Sequence, residues 1–253
     1  SLAYGIFYQT PESKFLSTDF KQNFQKATHY IFQVQRSEEN RTLRLEAFYK
    51  DYKNLVKTQT VGFQNFVLPT YGDGFAKGVE VLWRDKKSIK NVDYWVSYSY
   101  LDSKREFLNY PTELYPNFAA KHNISVVAKK FVTSWKTGFN FSYTYTSGRP
   151  FYNIVAQNGS NVLLGEGKVK DFNSLNFSLN YLPNLGRKDA KAFTILVAGV
   201  NNILGNKNVF GYRFSSDGSL SAPVLPAAQT FAYVGLLISF GIDKTQEAID
   251  NNL

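Results

Sequence analysis

The chain has no cysteine and no methionine, and only two histidines among its 253 residues. Without cysteine, neither a disulfide framework nor a thiolate metal site can form. His29 and His122 lie far apart and carry no ligand spacing, so the sequence offers no metal site and no cofactor site. Nor do they have acidic neighbours, since Thr28 and Tyr30 flank one and Lys121 and Asn123 the other. No catalytic residue is assigned, and we expect the protein not to be an enzyme. Residue 1 is Ser, and no basic segment followed by an apolar stretch stands at the front. The sequence therefore reads as a fragment or a processed product. Long apolar runs are missing too. Val234-Gly-Leu-Leu-Ile238 falls far short of the roughly 20 residues that a membrane helix requires.

What is abundant is aromatic. Phe, Trp and Tyr make up 17% of the chain, more than a soluble fold of this size would readily bury. A membrane β-barrel has a use for them, with Phe against lipid and Tyr and Trp at the two interfaces. The net charge of +9 gathers partly in short clusters: Arg84, Lys86, Lys87 and Lys90; Lys129 and Lys130; Arg187, Lys188 and Lys191. These are separated by apolar strands and match no nucleic-acid module, so basic rims beside lipid headgroups are the better reading and no nucleic-acid partner is expected.

The arrangement along the chain has period two, as a strand with one face to lipid and one to lumen requires. In 135–146, Trp135, Phe139, Phe141, Tyr143 and Tyr145 oppose Lys136, Asn140, Ser142, Thr144 and Thr146. In 174–181, Leu175, Phe177, Leu179 and Tyr181 oppose Ser174, Asn176, Ser178 and Asn180. The segments 92–100 and 42–50 alternate in the same way, and weaker examples lie near 2–8, 27–36, 74–85, 119–131, 191–203 and 230–240. That makes about ten segments, each near the 9–11 residues that cross a tilted bilayer path. Long and short connections alternate between them. The long ones are 9–26, 57–73, 104–118, 148–168 and 204–229. The short ones fall at Ser37–Asn40, Lys86–Lys90, Val132–Thr133 and Pro183–Ala190. Short periplasmic turns and long extracellular loops give this rhythm, whereas a soluble sandwich has no reason for it. We therefore expect an all-β protein, a transmembrane antiparallel β-barrel over residues 1–240, in the outer membrane. A polar periplasmic tail over 241–253 follows.

Several short motifs add a family resemblance. Tyr233-Val-Gly-Leu-Leu-Ile-Ser-Phe240 resembles the C-terminal assembly signal of bacterial outer-membrane proteins, with Gly235, Ile238 and Phe240 at the signal positions. The signal usually ends the chain, whereas a tail follows it here. Tyr4-Gly-Ile-Phe-Tyr-Gln9, Glu46-Ala-Phe-Tyr-Lys-Asp-Tyr-Lys-Asn-Leu55, Gly74-Phe-Ala-Lys-Gly-Val-Glu80 and Tyr143-Thr-Tyr-Thr-Ser-Gly-Arg-Pro-Phe151 resemble TonB-dependent receptors of Bacteroidetes type. So do Val200-Asn-Asn-Ile-Leu204 and Asn208-Val-Phe-Gly-Tyr212. The resemblance implies that these are the last ten strands of a barrel of about 22, whose lumen is plugged. It implies active import of a siderophore, vitamin, glycan or peptide. The rest of the barrel and the plug would come from a missing segment or another chain, and TonB would be reached through the plug. Lipid, lipopolysaccharide and a surface-exposed protein are the other expected partners. A structural subunit of a larger outer-membrane complex and a standalone ten-stranded pore or barrel enzyme remain alternatives.

Within that frame Arg149, Tyr152 and Asn153 are the candidate ligand contacts, because Ser147-Gly-Arg-Pro150 stands where a long loop leaves an outward strand. Gly148 and Pro150 would equally set a plain turn there. Gly72-Asp-Gly74 is expected to be a turn leading into a strand. Arg44, Glu46, Glu80, Arg84 and Asp93 are expected on the lumen face, pairing with one another or meeting the plug.

Overall fold

The computed structural model describes residues 1–16, 23–61, 64–187 and 191–241. The assigned polar tail therefore lies almost wholly outside the described residues, as does part of the Pro183–Ala190 turn. Among the described residues the only helical pieces are two 3-10 turns, and everything else is strand or connection. Ten strands pair in one antiparallel sheet in the order β1-β2-β3-β4-β5-β6-β7-β10-β11-β14. They are β1 (Leu2–Gln9), β2 (Gln25–Glu38), β3 (Arg41–Val61), β4 (Gln64–Asp85), β5 (Val92–Arg105), β6 (His122–Val132), β7 (Thr137–Thr146), β10 (Phe172–Tyr181), β11 (Ala192–Asn201) and β14 (Phe231–Phe240). Four further strands form two hairpins inside the long connections: β8 (Pro150–Gln157) with β9 (Ser160–Lys168), and β12 (Gly211–Phe214) with β13 (Ser221–Val224).

Register carries one side-chain phase from strand to strand. Starting at Val34, the Cα partners run Leu45, Val81, Tyr98, Ile124 and Tyr145. A second row runs from Tyr94 through Ala128, Phe141 and Phe177 to Val200 and Ala232. These rows form the outer, apolar face, and members such as Val34, Leu45 and Phe141 are exposed, as is Val234 in the same phase. Apolar side chains in register across successive strands, many of them exposed, are a lipid-facing surface. Towards the long-connection end the surface finishes in an aromatic row, Tyr4, Tyr30, Tyr49 and Phe75, with ring centroids 5.2, 6.3 and 6.4 Å apart. Such a girdle belongs at the outer interface, where amphipathic rings bridge hydrocarbon and headgroups. The opposite phase is polar: Ser97, Ser125 and Thr144 are successive partners, as are Ser142 and Asn176.

Some boundaries differ from those the sequence suggested. β3 and β4 are 21 and 22 residues long, about twice what a bilayer crossing needs. The expected long loop 57–73 is therefore mostly a projecting hairpin, held beyond the girdle by its own ladder and by the Lys53–Asp73 ion pair at 3.0 Å. β7 begins at Thr137, not 135, because Thr133–Trp135 makes a 3-10 turn and Lys136 takes φ 52°. Trp135 thus sits on the turn, packed edge-on against Phe139 at 6.0 Å. Gly72 and Gly74 lie inside β4 and form no turn. They are small for another reason, since the carbonyls of Glu106 and Lys104 occupy the space their Cβ atoms would fill. After β5 the chain crosses over β4 at this point, and the Glu106 N–H donates to the Asp73 carbonyl at 2.8 Å.

The two phases predict an asymmetric response to charge. Val96→Arg, on the outer face, should cost about 2–4 kcal/mol of stability in a bilayer, and Ser97→Arg, on the inner face, much less. Unfolding in lipid vesicles, followed by heat-modifiable gel mobility, measures both. Equal losses would reverse or erase the assignment of faces.

Candidate functional site

The long connections fold into one bonded layer at the outer end of the sheet. The segment joining β5 to β6 (106–121) crosses β4 and reaches β3. There Leu108 N–H donates to the Val56 carbonyl at 2.7 Å, and Thr58 N–H donates to the Leu108 carbonyl at 2.9 Å. Leu108 accepts a left-handed φ of 49° to make this approach, at about 1 kcal/mol or more for an L-residue. Lys57, only 7% exposed, fastens the crossing. Its Nζ donates to Glu106 Oε1 at 2.7 Å and to the Tyr110 carbonyl at 2.6 Å. Beside it the Arg105 guanidinium stands over the rings of Tyr52, Phe107 and Phe118 at 4.2, 6.0 and 5.7 Å.

The β8–β9 hairpin is tied in from the other side. Asn161 Nδ2 donates to the Thr58 carbonyl at 2.8 Å, and Phe151 packs on Tyr212 with centroids 4.7 Å apart. The connection from β11 to β14 is anchored at its base by asparagines. Asn202 Nδ2 donates to the carbonyls of Asn206 and Gln229, and its N–H donates to Asn176 Oδ1 at 2.8 Å. Asn208 exchanges hydrogen bonds with the backbone of Asn173. Both Asn202 and Asn208 are buried. Their weight was not assigned from sequence, although the spacing of Asn201, Asn202, Asn206 and Asn208 around a loop start was a readable signal for side-chain–backbone bonding.

The three expected ligand contacts are neighbours, with different surroundings. Arg149 borders a cavity of about 480 Å³ at the lumen mouth, together with Lys170, Phe118, Phe172 and Phe210. Its Nη2 donates to the Phe210 carbonyl at 2.9 Å, and the guanidinium lies 5.8 Å from that ring. Tyr152 donates to the Tyr115 carbonyl at 3.0 Å and meets Tyr110 edge-on at 5.4 Å. Asn153 donates to the Gly218 carbonyl at 2.8 Å, while its own Oδ1 is buried without a partner among the described residues. Arg149 is the one facing the cavity, and the other two join connection to connection. Gly148 is required by close approach, because the Val169 carbonyl stands where a Cβ would be. Of the expected signal residues in β14, Ile238 and Phe240 share the outer phase and Gly235 takes the inner one, opposite Val197.

Lower on the lumen wall, Arg84 and Asp93 form a two-point ion pair, Nε to Oδ1 at 3.0 Å and Nη2 to Oδ2 at 2.5 Å. Arg44, Glu46 and Glu80 make no ion pair among the described residues. Glu46 and Glu80 are direct cross-strand partners, a like-charged pair that opposes folding unless a counter-charge is supplied. His29 meets the Phe7 ring at a tilt, with centroids 4.7 Å apart, and His122 Nδ1 is 2.9 Å from the Tyr98 hydroxyl.

Comparison with known proteins follows from this geometry. The family model described as TonB dependent receptor-like, beta-barrel, matches residues 32–203. The fold is similar to that of the ferric-catecholate import receptor of E. coli K12, with TM-score 0.60 and 16% identity over 93% of this chain and 32% of that one. It is similar to the ferric citrate transporter (TM-score 0.61, 17% identity, 85% of this chain and 32% of that one). It is also similar to the ferripyoverdine receptor of the Pseudomonas aeruginosa outer membrane (TM-score 0.66, 8% identity, 94% and 30%). The chain thus spans about a third of the length of these solved structures. A sequence comparison with curated proteins gives no match.

Two predictions test the loop layer. Lys57→Ala leaves the Glu106 carboxylate and the Tyr110 carbonyl without their donor, which should loosen segment 106–121 by about 1–3 kcal/mol. Hydrogen exchange of Leu108 and Thr58 amides should rise accordingly, and unchanged protection would refute the fastening role. The second concerns pH. Burial pushes the Tyr115 and Tyr152 phenols up to about 12, helped by Asp102 and Tyr100 for the first and by Tyr110 and Glu166 for the second. A group whose pKa is raised on folding contributes stability that is full below its ordinary value, about 10 for tyrosine. That contribution is lost as pH rises towards about 12. Tyrosinate absorbance should show late-titrating phenols that include these two, and Tyr152→Phe should remove one of them.

Proposed function

The chain belongs to the TonB-dependent receptor-like β-barrel family, and on that premise we propose that it is the barrel portion of an active outer-membrane importer. The observation carrying this reading is the lumen wall. Arg44, Glu46 and Glu80 face inward and form no ion pair among the described residues, and Glu46 and Glu80 stand opposite one another. A wall of this kind suits a lumen filled by a polar body carrying complementary charge, which is the expected plug. Both sheet edges support the same reading. Among the described residues β1 bonds only to β2 and β14 only to β11, and a free strand edge is not tolerated in hydrocarbon. Further strands complete the barrel, whether from the same polypeptide or from another. That requirement also argues against a standalone ten-stranded pore.

In this mechanism no bond of the ligand is made or broken. The loop layer captures ligand at the lumen mouth, and energy from TonB, delivered through the plug, displaces the plug to open a path. Arg149 is the direct ligand contact, backed by Lys170 and the Phe118, Phe172 and Phe210 rings of the same cavity. Tyr152 and Asn153 act by holding the loops that present it. The ligand class stays among siderophores, vitamins, glycans and peptides. Membership of a larger surface complex is compatible with the projecting β3–β4 hairpin, but no contact on it specifies a partner.

The test uses the full-length protein in cells lacking other importers of the probes. Accumulation of ferric citrate, a ferric catecholate, cobalamin, maltoheptaose and a labelled oligopeptide is measured with and without TonB. Uptake of at least one probe that requires TonB, weakened by Arg149→Ala, is the expected result. Leakage of all small probes regardless of TonB would identify an open pore and overturn the importer reading.

A further inference from the structure

Charge is unevenly spread over the ten-stranded sheet. The strands β7, β10, β11 and β14 contain no Asp, Glu, Lys or Arg, whereas β2 to β6 all contain them. On the lumen side this divides the wall into two flanks. The charged flank presents Arg44, Glu46 and Glu80, which form no ion pair among the described residues. The neutral flank is lined on β7 and β10 by short hydroxyl and amide side chains. They stand in direct cross-strand pairs: Thr144 with Ser174, Ser142 with Asn176, and Asn140 with Ser178. Charge returns only at the border with β6, where Asn140 pairs with Lys129.

The neutral groups are bonded to one another within the wall. Asn176 Nδ2 donates to Ser142 Oγ at 3.1 Å, Asn140 Nδ2 to Ser178 Oγ at 3.4 Å, and Ser174 Oγ to Asn176 Oδ1 at 2.9 Å. They call for no counter-charge, so an occupant of the lumen that parts from this face breaks no ion pair with it. The same flank is continuous with the mouth. Asn123 and Thr146 line the cavity that holds Arg149, and they also line a second hollow of about 260 Å³. Ser97, Ser125 and Thr144 stand on its near side, and Arg44 and Glu80 on its far side. Ser97, Ser125, Thr144 and Ser174 are one row of cross-strand partners, so the hollow opens directly onto the β7–β10 face.

We propose that the β7–β10 face is the transit lane, along which ligand passes from the mouth cavity inward between wall and plug. The inference rests on the importer reading and adds to it the side of the lumen on which the path opens. A transit surface must hold a solute weakly enough to let it go. A hydrogen bond to a charged group is roughly twice as strong as one between neutral groups. A solute crossing Arg44 and Glu46 would therefore be retained, where one crossing Ser142 and Asn176 would be handed on. Short side chains also leave the room that passage needs. The charged flank has the complementary part, because its charges give the plug something to hold.

The test uses the full-length protein in intact cells, with and without TonB. The cells are given ferric citrate, a ferric catecholate, cobalamin, maltoheptaose and a labelled oligopeptide. This chain holds no cysteine, so Ser142→Cys on the neutral flank and Gln33→Cys on the charged one each add a single thiol to it. Gln33 is the cross-strand partner of Glu46. Access is read with a membrane-impermeant methanethiosulfonate added from outside. Ser142→Cys should react about tenfold or more faster with TonB than without it, and Gln33→Cys at the same rate in both. Thr144→Cys repeats the measurement at a second lane position, and heat-modifiable mobility checks that each variant is folded. Once labelled with a bulky maleimide, Ser142→Cys should lose uptake of the accumulated probe while still binding it at the cell surface. Labelled Gln33→Cys should keep both. Equal or greater TonB-dependent reactivity at Gln33→Cys, or uptake undiminished by the adduct at Ser142→Cys, would overturn the lane and leave the importer reading standing. Absence of any TonB-dependent uptake by the unsubstituted protein would overturn the importer reading, and the lane with it.

Discussion

The structure depends on one constraint: inside hydrocarbon, every backbone N–H and C=O needs a partner within the protein. The ladder across the ten strands obeys it where it matters. Between the turn end and the girdle the registers of β1 through β7 and of β10, β11 and β14 run without a slip. The register shifts in β3–β4 fall between Tyr52 and Leu55 and between Val56 and Thr58, beyond Tyr49 of the girdle, and that in β8–β9 falls between Asn153 and Ile154. Left-handed residues follow the same rule, since Asn54, Asn91, Leu108, Lys136, Asn158 and Asn202 all lie outside the spanning part. Irregular backbone is confined to where water or a polar side chain can satisfy it.

An unbroken ladder also fixes which way each side chain points, and for that reason the wall was legible from sequence. Period two in 92–100 or 174–181 is the direct record of one face in lipid and one in a polar lumen. Alternating connection lengths record which end is outside. The loops obey no such period. Nothing in Gly72-Asp-Gly74 announces that the backbone of residues 104–106 will pass over it, because a glycine required by close approach reads the same as a glycine required by a turn. The 3-10 turn at Thr133–Trp135 was missed for a related reason: Trp135 continues the apolar alternation of β7 while standing outside its ladder.

The candidate site was legible in part. Arg149 was singled out because a charged residue beside Gly and Pro stood at an outward strand end, and the structure places it beside a cavity. Tyr152 and Asn153 were grouped with it by proximity in sequence, yet in a strand successive residues look to opposite faces. Adjacent positions of β8 therefore meet different elements: Tyr152 reaches the 106–121 segment, and Asn153 the connection before β14. The buried Asn202 and Asn208 escaped notice because their roles are long-range bonds to backbone carbonyls, and the carbonyl carries no sequence identity.

The two ends of the lumen wall differ in how their charges are settled, and this bears on what moves in an importer. Near the short turns Arg84 and Asp93 neutralise each other on the inner phase, while on the outer phase Arg41 bonds Asp85, which also caps the turn through the Lys87 and Ser88 amides. These charges need nothing from the lumen. Higher up, Glu46 stands opposite Glu80, and neither they nor Arg44 form an ion pair among the described residues, so this band can still take a counter-charge from what occupies the interior. Meanwhile the ladder holds the wall, and Lys57, Asn161 and Tyr152 hold the described loops to one another. A wall locked along its strands and across its outer rim has little freedom to gate by itself. Under the proposed function, the element that shifts is the lumen's occupant, and the unpaired band is where its grip on the wall is made and released.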